Sequence, residues 1–151
     1  IRAGHSFAAT AGAAALAEGA PAIGAVLLAP AGIGRQLPTL LKRIKAPVML
    51  IGADEDIWPT RNRGYFFRFI PRGVGEISIR DAQHEDAQFP GKAAPRSLDE
   101  DPLATAEAQI TFVSALTAAA FALSATGSID YAWSSFDDSM KKGVFFNARR
   151  K

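Results

Sequence analysis

Two short, uninterrupted apolar runs set the strongest limit on the fold: Ile23 to Ala29 (IGAVLLA), closed by Pro30 and Gly32, and Pro47 to Ile51 (PVMLI), which runs into an acidic segment. Each has strand length and is apolar at successive positions, so it reads as a strand covered on both faces, the condition of strands inside a parallel sheet. Helix-length segments lie around them. Ser6 to Glu18 is rich in alanine and stops at Gly19, while Gln36 to Ile44 carries a basic outer face. Arg61 to Ile70 holds Tyr65, Phe66, Phe67 and Phe69 and is closed by Pro71, and Glu76 to Arg80 (EISIR) alternates as a strand nearer the sheet edge would. Strands alternating with helices predict an α/β fold, a parallel three-layer sandwich with right-handed crossovers, whose ligands sit beyond the carboxyl ends of the strands.

The second half is expected to be helical. Gln88 to Pro102 reads as an exposed loop, followed by a long helix from about Ala104 to Leu123. Between Glu107 and Asp130 the chain carries no charge, but Ser, Thr, Gln and Gly dilute the stretch, so a packing helix is expected there and no membrane span. Asp130 to Lys142 places Tyr131, Trp133, Phe136 and Met140 at helical spacing and predicts a second packing helix.

Inventory removes several kinds of chemistry. The 151 residues, 48% of them apolar, suit one domain with a real core. Seventeen basic and fifteen acidic residues are spread along the chain for a net charge of +2, without the basic stripe that nucleic acid requires. Arg149, Arg150 and Lys151 read as a solvated tail. There is no cysteine, the two histidines, His5 and His84, cannot make an HExxH site, and no other dense ligand cluster is present, so no metal is expected, and the serine chemistry set out below implies no cofactor.

The chemistry-bearing residues come in three pieces. Gly4-His5-Ser6-Phe7-Ala8 fits the small-x-Ser-x-small nucleophile elbow, in which a serine on a strained strand-to-helix turn has its hydroxyl pushed outward. The small residues at 4 and 8 keep the helix start from colliding with the strand. The helix N-terminus favours a developing negative charge, and the Phe7 amide is positioned to donate one oxyanion hydrogen bond. A serine hydroxyl needs a base, and the base needs a carboxylate to fix its tautomer. His84 supplies the base and the acidic turn Gly52 to Asp56 the carboxylate, in the order Ser, acid, His that α/β-hydrolases use. His5, pointing away from the nucleophile by strand alternation, reads as structural, and Trp58 and Phe7 are candidates for the substrate pocket.

GHSFA, then PVMLIGADED with Pro59, then IRDAQH resemble the dienelactone-hydrolase-like branch of the α/β-hydrolases, which includes cutinase-like polyester hydrolases, chlorophyllase and relatives of platelet-activating-factor acetylhydrolase. The resemblance covers about residues 1 to 90. It implies that the chain is the C-terminal half of that fold, from nucleophile elbow to catalytic histidine, followed from residue 91 by a loop and packing helices. Cutinase-like members end their Gly-Ala-acid-x-Asp segment on the triad acid, which corresponds to Asp56. The spacings of other members select Glu55, and Asp54 ranks third. The implied activity is a serine hydrolase acting on small or polymeric carboxylic esters through an acyl-enzyme, with Ser6, His84 and Asp56 as triad. Acyl transfer or thioester cleavage would use the same residues, and a catalytically inactive fragment or assembly module is the remaining alternative. In this fold earlier strands flank the elbow strand, so a chain beginning at the elbow is expected to expose an open sheet edge and to self-associate through it.

Overall fold

The computed structural model describes residues 1–32, 34–55, 62–88 and 102–151, with residues 55, 62 and 102 described in their backbone only. Along the chain it forms β1 (Arg2–His5), α1 (Ser6–Ala17), β2 (Ala25–Leu28), α2 (Leu37–Leu41), β3 (Val48–Glu55), α3 (Asn62–Phe69) and β4 (Val74–Gln83). A 3-10 turn (His84–Ala87), α4 (Pro102–Thr126), α5 (Asp130–Lys141) and β5 (Phe145–Arg150) follow. The strands make one sheet in the order β1-β2-β3-β4-β5, the first four parallel and β5 antiparallel to β4.

Strand alternation distributes the core over both faces. Val48 and Leu50 of β3 pack with Ala9, Ala13 and Leu16 of α1, Leu41 of α2 and Phe66 of α3. Met49, Ile51 and Ala53, the intervening residues, pack with Phe112, Ala119 and Leu123 of α4 and Phe136 of α5. Helices therefore cover both sides of a mostly parallel sheet, as continuous apolar strands require. α1 is entered from an extended His5 and ends in a Schellman turn: Gly19, at φ +85°, donates its N–H to Leu16 O, and Ala20 N donates to Ala15 O.

Three expectations need correction. The acidic segment is not a turn at its start, because Gly52 to Glu55 continue β3 alongside β4. EISIR lies in β4, next to the edge strand β5, but is not half-exposed as its alternation suggests: Val74 to Ile79 are all buried, since the C-terminal residues form β5 against β4. Arg149 and Arg150 are exposed, as expected, but belong to an edge strand and not to a free tail. Arg149 Nε pairs with Glu76 Oε2, whose other oxygen accepts from Arg63 Nε at 2.7 Å, and Arg150 Nη1 reaches Asp130 Oδ1 at 2.7 Å. With two guanidiniums on it, Glu76 can be buried to 3% side-chain exposure without standing as an uncompensated charge.

Leu103–Thr126 is long and apolar enough to cross a membrane by length and composition alone, with a mean hydropathy of 1.6. In this fold its Ala108, Phe112, Ala115, Ala119 and Leu123 stripe lies at three- and four-residue steps and is buried against the sheet.

Candidate active site

Ser6 opens α1 directly at the carboxyl end of β1, with φ +56°. A non-glycine residue in this left-handed region carries a strain of order 1–3 kcal/mol and persists only where its surroundings hold it. Gly4 is one such restraint. A Cβ at position 4 would lie 2.8 Å from both the carbonyl carbon and oxygen of Ala8, so strand and helix approach more closely than even a methyl allows. Ala8 itself is exposed, so the crowding falls on position 4. A second restraint comes from the segment after β2, where Ala31 N donates to Ser6 O at 3.2 Å and Thr10 Oγ1 donates to Ala31 O at 2.6 Å.

His84 reaches the elbow from the far side of the sheet. β4 advances from Ile79 to Gln83 while its partner β3 advances only from Ala53 to Glu55, so β4 carries extra residues and bends there. At the bend Asp81 takes φ +57°, a conformation that Asp tolerates better than most residues, and its N–H is held at 3.1 Å by Asp54 Oδ2. The 3-10 turn is then closed by Asp86, whose Oδ2 accepts from Gln83 N at 2.8 Å in a reciprocal capping box. The outcome is His84 Nε2 at 3.0 Å from Ser6 Oγ, with His84 only 6% exposed. That distance lets the hydroxyl donate to the imidazole and allows proton transfer between them.

No protein-family profile matches the chain, and neither a curated protein nor a solved structure matches it. The geometry therefore stands alone.

The other ring nitrogen of His84, Nδ1, is buried and has no hydrogen-bond partner among the described residues. An unpaired buried imidazole nitrogen is costly, and a carboxylate is the group that such a position accepts best. The three carboxylates expected from sequence stand differently towards it. Asp54 is exposed and its carboxylate is engaged with the Asp81 amide, not with Nδ1. The Glu55 backbone is in register with Gln83, the residue before His84, so the chain of β3 runs towards the level of the histidine. Asp56 and Trp58, and the side chain of Glu55, lie outside the described residues. Phe7 is in the first turn of α1, beside the serine, with half of its side-chain surface exposed.

His5 lies against the base. Its ring does not sit apart from the site: the centroid lies 4.6 Å from that of His84, and Nε2 is 2.9 Å from the His84 carbonyl oxygen. A carbonyl only accepts, so His5 carries its proton on Nε2. Desolvation, and then the nearby His84, hold its pKa below the ordinary histidine value. Alternation along β1 gives no hint that a chain segment 79 residues away folds against His5. The groove of about 600 Å³ bounded by Asp54, Arg63, Phe146 and Arg149 lies beside the bend and does not include Ser6.

Proposed function

We propose that the chain carries the catalytic centre of a serine ester hydrolase of the α/β-hydrolase type, of which it forms the C-terminal half. The observation that carries this reading is the 3.0 Å approach of His84 Nε2 to the hydroxyl of a serine held at φ +56° on a helix N-terminus. Ser6 Oγ attacks the ester carbonyl while its proton passes to His84 Nε2, forming a tetrahedral adduct whose oxyanion lies at the start of α1 within reach of the Phe7 amide. Collapse of the adduct expels the alcohol, which takes the proton from His84 and leaves the acyl group on Ser6. Water, deprotonated by the same imidazole, then releases the acid and frees the serine. Asp56 orients His84 through Nδ1, with Glu55 and Asp54 as successive alternatives. Trp58 and Phe7 form part of the acyl pocket, and substrates are small or polymeric carboxylic esters.

Turnover of p-nitrophenyl butyrate tests the reading. Ser6→Ala and His84→Gln are expected to remove essentially all activity, and Asp56→Asn to lower kcat by about 10⁴, the scale of losing the tautomer-fixing acid. Retention of activity in Ser6→Ala would falsify the assignment, and an Asp56→Asn variant of full activity would move the acid to Glu55 or Asp54.

A further inference from the structure

The histidine beside the nucleophile has a role that the hydrolytic relay leaves unused. The geometry points to His5 as the positioning residue for His84, and this inference rests on the reading of Ser6 and His84 as nucleophile and base. His5 Nε2–H donates to the backbone carbonyl of His84 at 2.9 Å, and its ring packs against the imidazole at 4.6 Å with a 49° tilt. Because His5 immediately precedes Ser6, one residue spacing of backbone links the nucleophile to the group that holds its base. The His84 turn follows a bent strand, β4, and the His5 bond ties its backbone to the end of β1 beside the contact that Ser6 Oγ makes with the ring. A base must sit within hydrogen-bond reach of its nucleophile, and small displacements of that geometry are costly in rate.

The tie also couples the two rings electrostatically. Among the described residues the titratable groups facing His5 are His84 and Glu85 of the 3-10 turn, while β2 and α1 bring no charged residue to it. A proton on His84 opposes a proton on His5, and Glu85 acts in the opposite sense. During the relay His84 becomes an imidazolium, so His5 serves as a neutral donor and not as a second cation. The folded-state pKa of His5 lies below its unfolded value of 6.5. The unfolded chain therefore binds the His5 proton more readily, and stability falls as pH drops below about 6.5 towards the depressed value.

The chain has only these two histidines, which makes the test direct. In ¹⁵N NMR of the imidazoles, assigned with His5→Gln and His84→Gln, His5 is expected as the Nε2–H tautomer. Its titration midpoint is expected to rise in His84→Gln, which keeps the backbone carbonyl but removes the neighbouring imidazolium. In parallel, the rate of Ser6 labelling by a fluorophosphonate is expected to fall about tenfold to a hundredfold in His5→Ala, the range for a misplaced base. Labelling is expected to recover in His5→Gln, whose amide can donate from a similar position. An Nδ1–H tautomer, an unmoved midpoint, or equal labelling of wild type and His5→Ala overturns the inference. An intact tautomer and coupled titration with no labelling of wild type supports the His5–His84 pairing and overturns the ester-hydrolase reading instead.

Discussion

At the scale of single residues the nucleophile end of the site depends on the strained backbone of Ser6 and on the glycine that permits it. Ser6 at φ +56° presents its hydroxyl to His84, and the contact of Gly4 with the Ala8 backbone leaves no space for a side chain. Backbone atoms cannot swing aside as a flexible side chain would. Gly4→Ala is therefore expected to destabilise the chain by about 1–3 kcal/mol through overpacking. Gly12→Ala makes the contrasting control. A Cβ there would lie 4.0 Å from Leu27, in ordinary contact, and alanine in a helix interior is favoured over glycine by up to about 1 kcal/mol. Urea denaturation of the two variants should give opposite signs, and equal losses would mean that the strand-to-helix approach is not the constraint described. The sequence made the glycine legible as a small residue. It did not make legible that a methyl is already too large, because that depends on the distance between two backbones.

Elements show where local pattern suffices and where it fails. The buried strands β2 and β3 and the helix α1 were readable because their signals, continuous apolar runs and an alanine-rich segment with a glycine stop, are local. β5 was not readable: FFNARRK has neither clean alternation nor a continuous apolar run. It becomes a strand because β4 offers it an edge, and because Arg149 and Arg150 find Glu76 and Asp130, partners 73 and 20 residues away. Arg149 also lies over the Phe67 ring at 4.1 Å and Arg150 over Trp133 at 5.4 Å, so cations that looked solvent-directed have aromatic faces to rest on. The path of His84 is similar in kind. That a histidine follows β4 was visible, whereas the bend at Asp81 and its anchor on Asp54 are long-range features.

For α4 the packing makes a prediction of its own. Phe112 is 1% exposed and faces the sheet, while Phe121 is 62% exposed on the opposite side of the same helix. Phe112→Ala is expected to cost about 3–5 kcal/mol as a core cavity. Phe121→Ser is expected to stay within about 0.5 kcal/mol. Chemical denaturation measures both, and comparable losses would contradict this orientation of the helix.

At the scale of the whole molecule, parallel topology is what gathers the site. The carboxyl ends of β1, β3 and β4 lie at one end of the sheet, which places Ser6, the acidic segment and His84 there although 78 residues separate serine from histidine. Among the described residues β1 pairs with β2 alone, so Ser6 follows the outermost described strand.

Assignment of Ser6 as an activated nucleophile is tested by reaction of the purified chain with a fluorophosphonate probe, mapped by mass spectrometry with Ser6→Ala as control. A single adduct on Ser6 is expected to form in wild type, to be absent in Ser6→Ala and to form far more slowly in His84→Gln. Labelling at other serines, or none at Ser6 while the fold is intact, would contradict it.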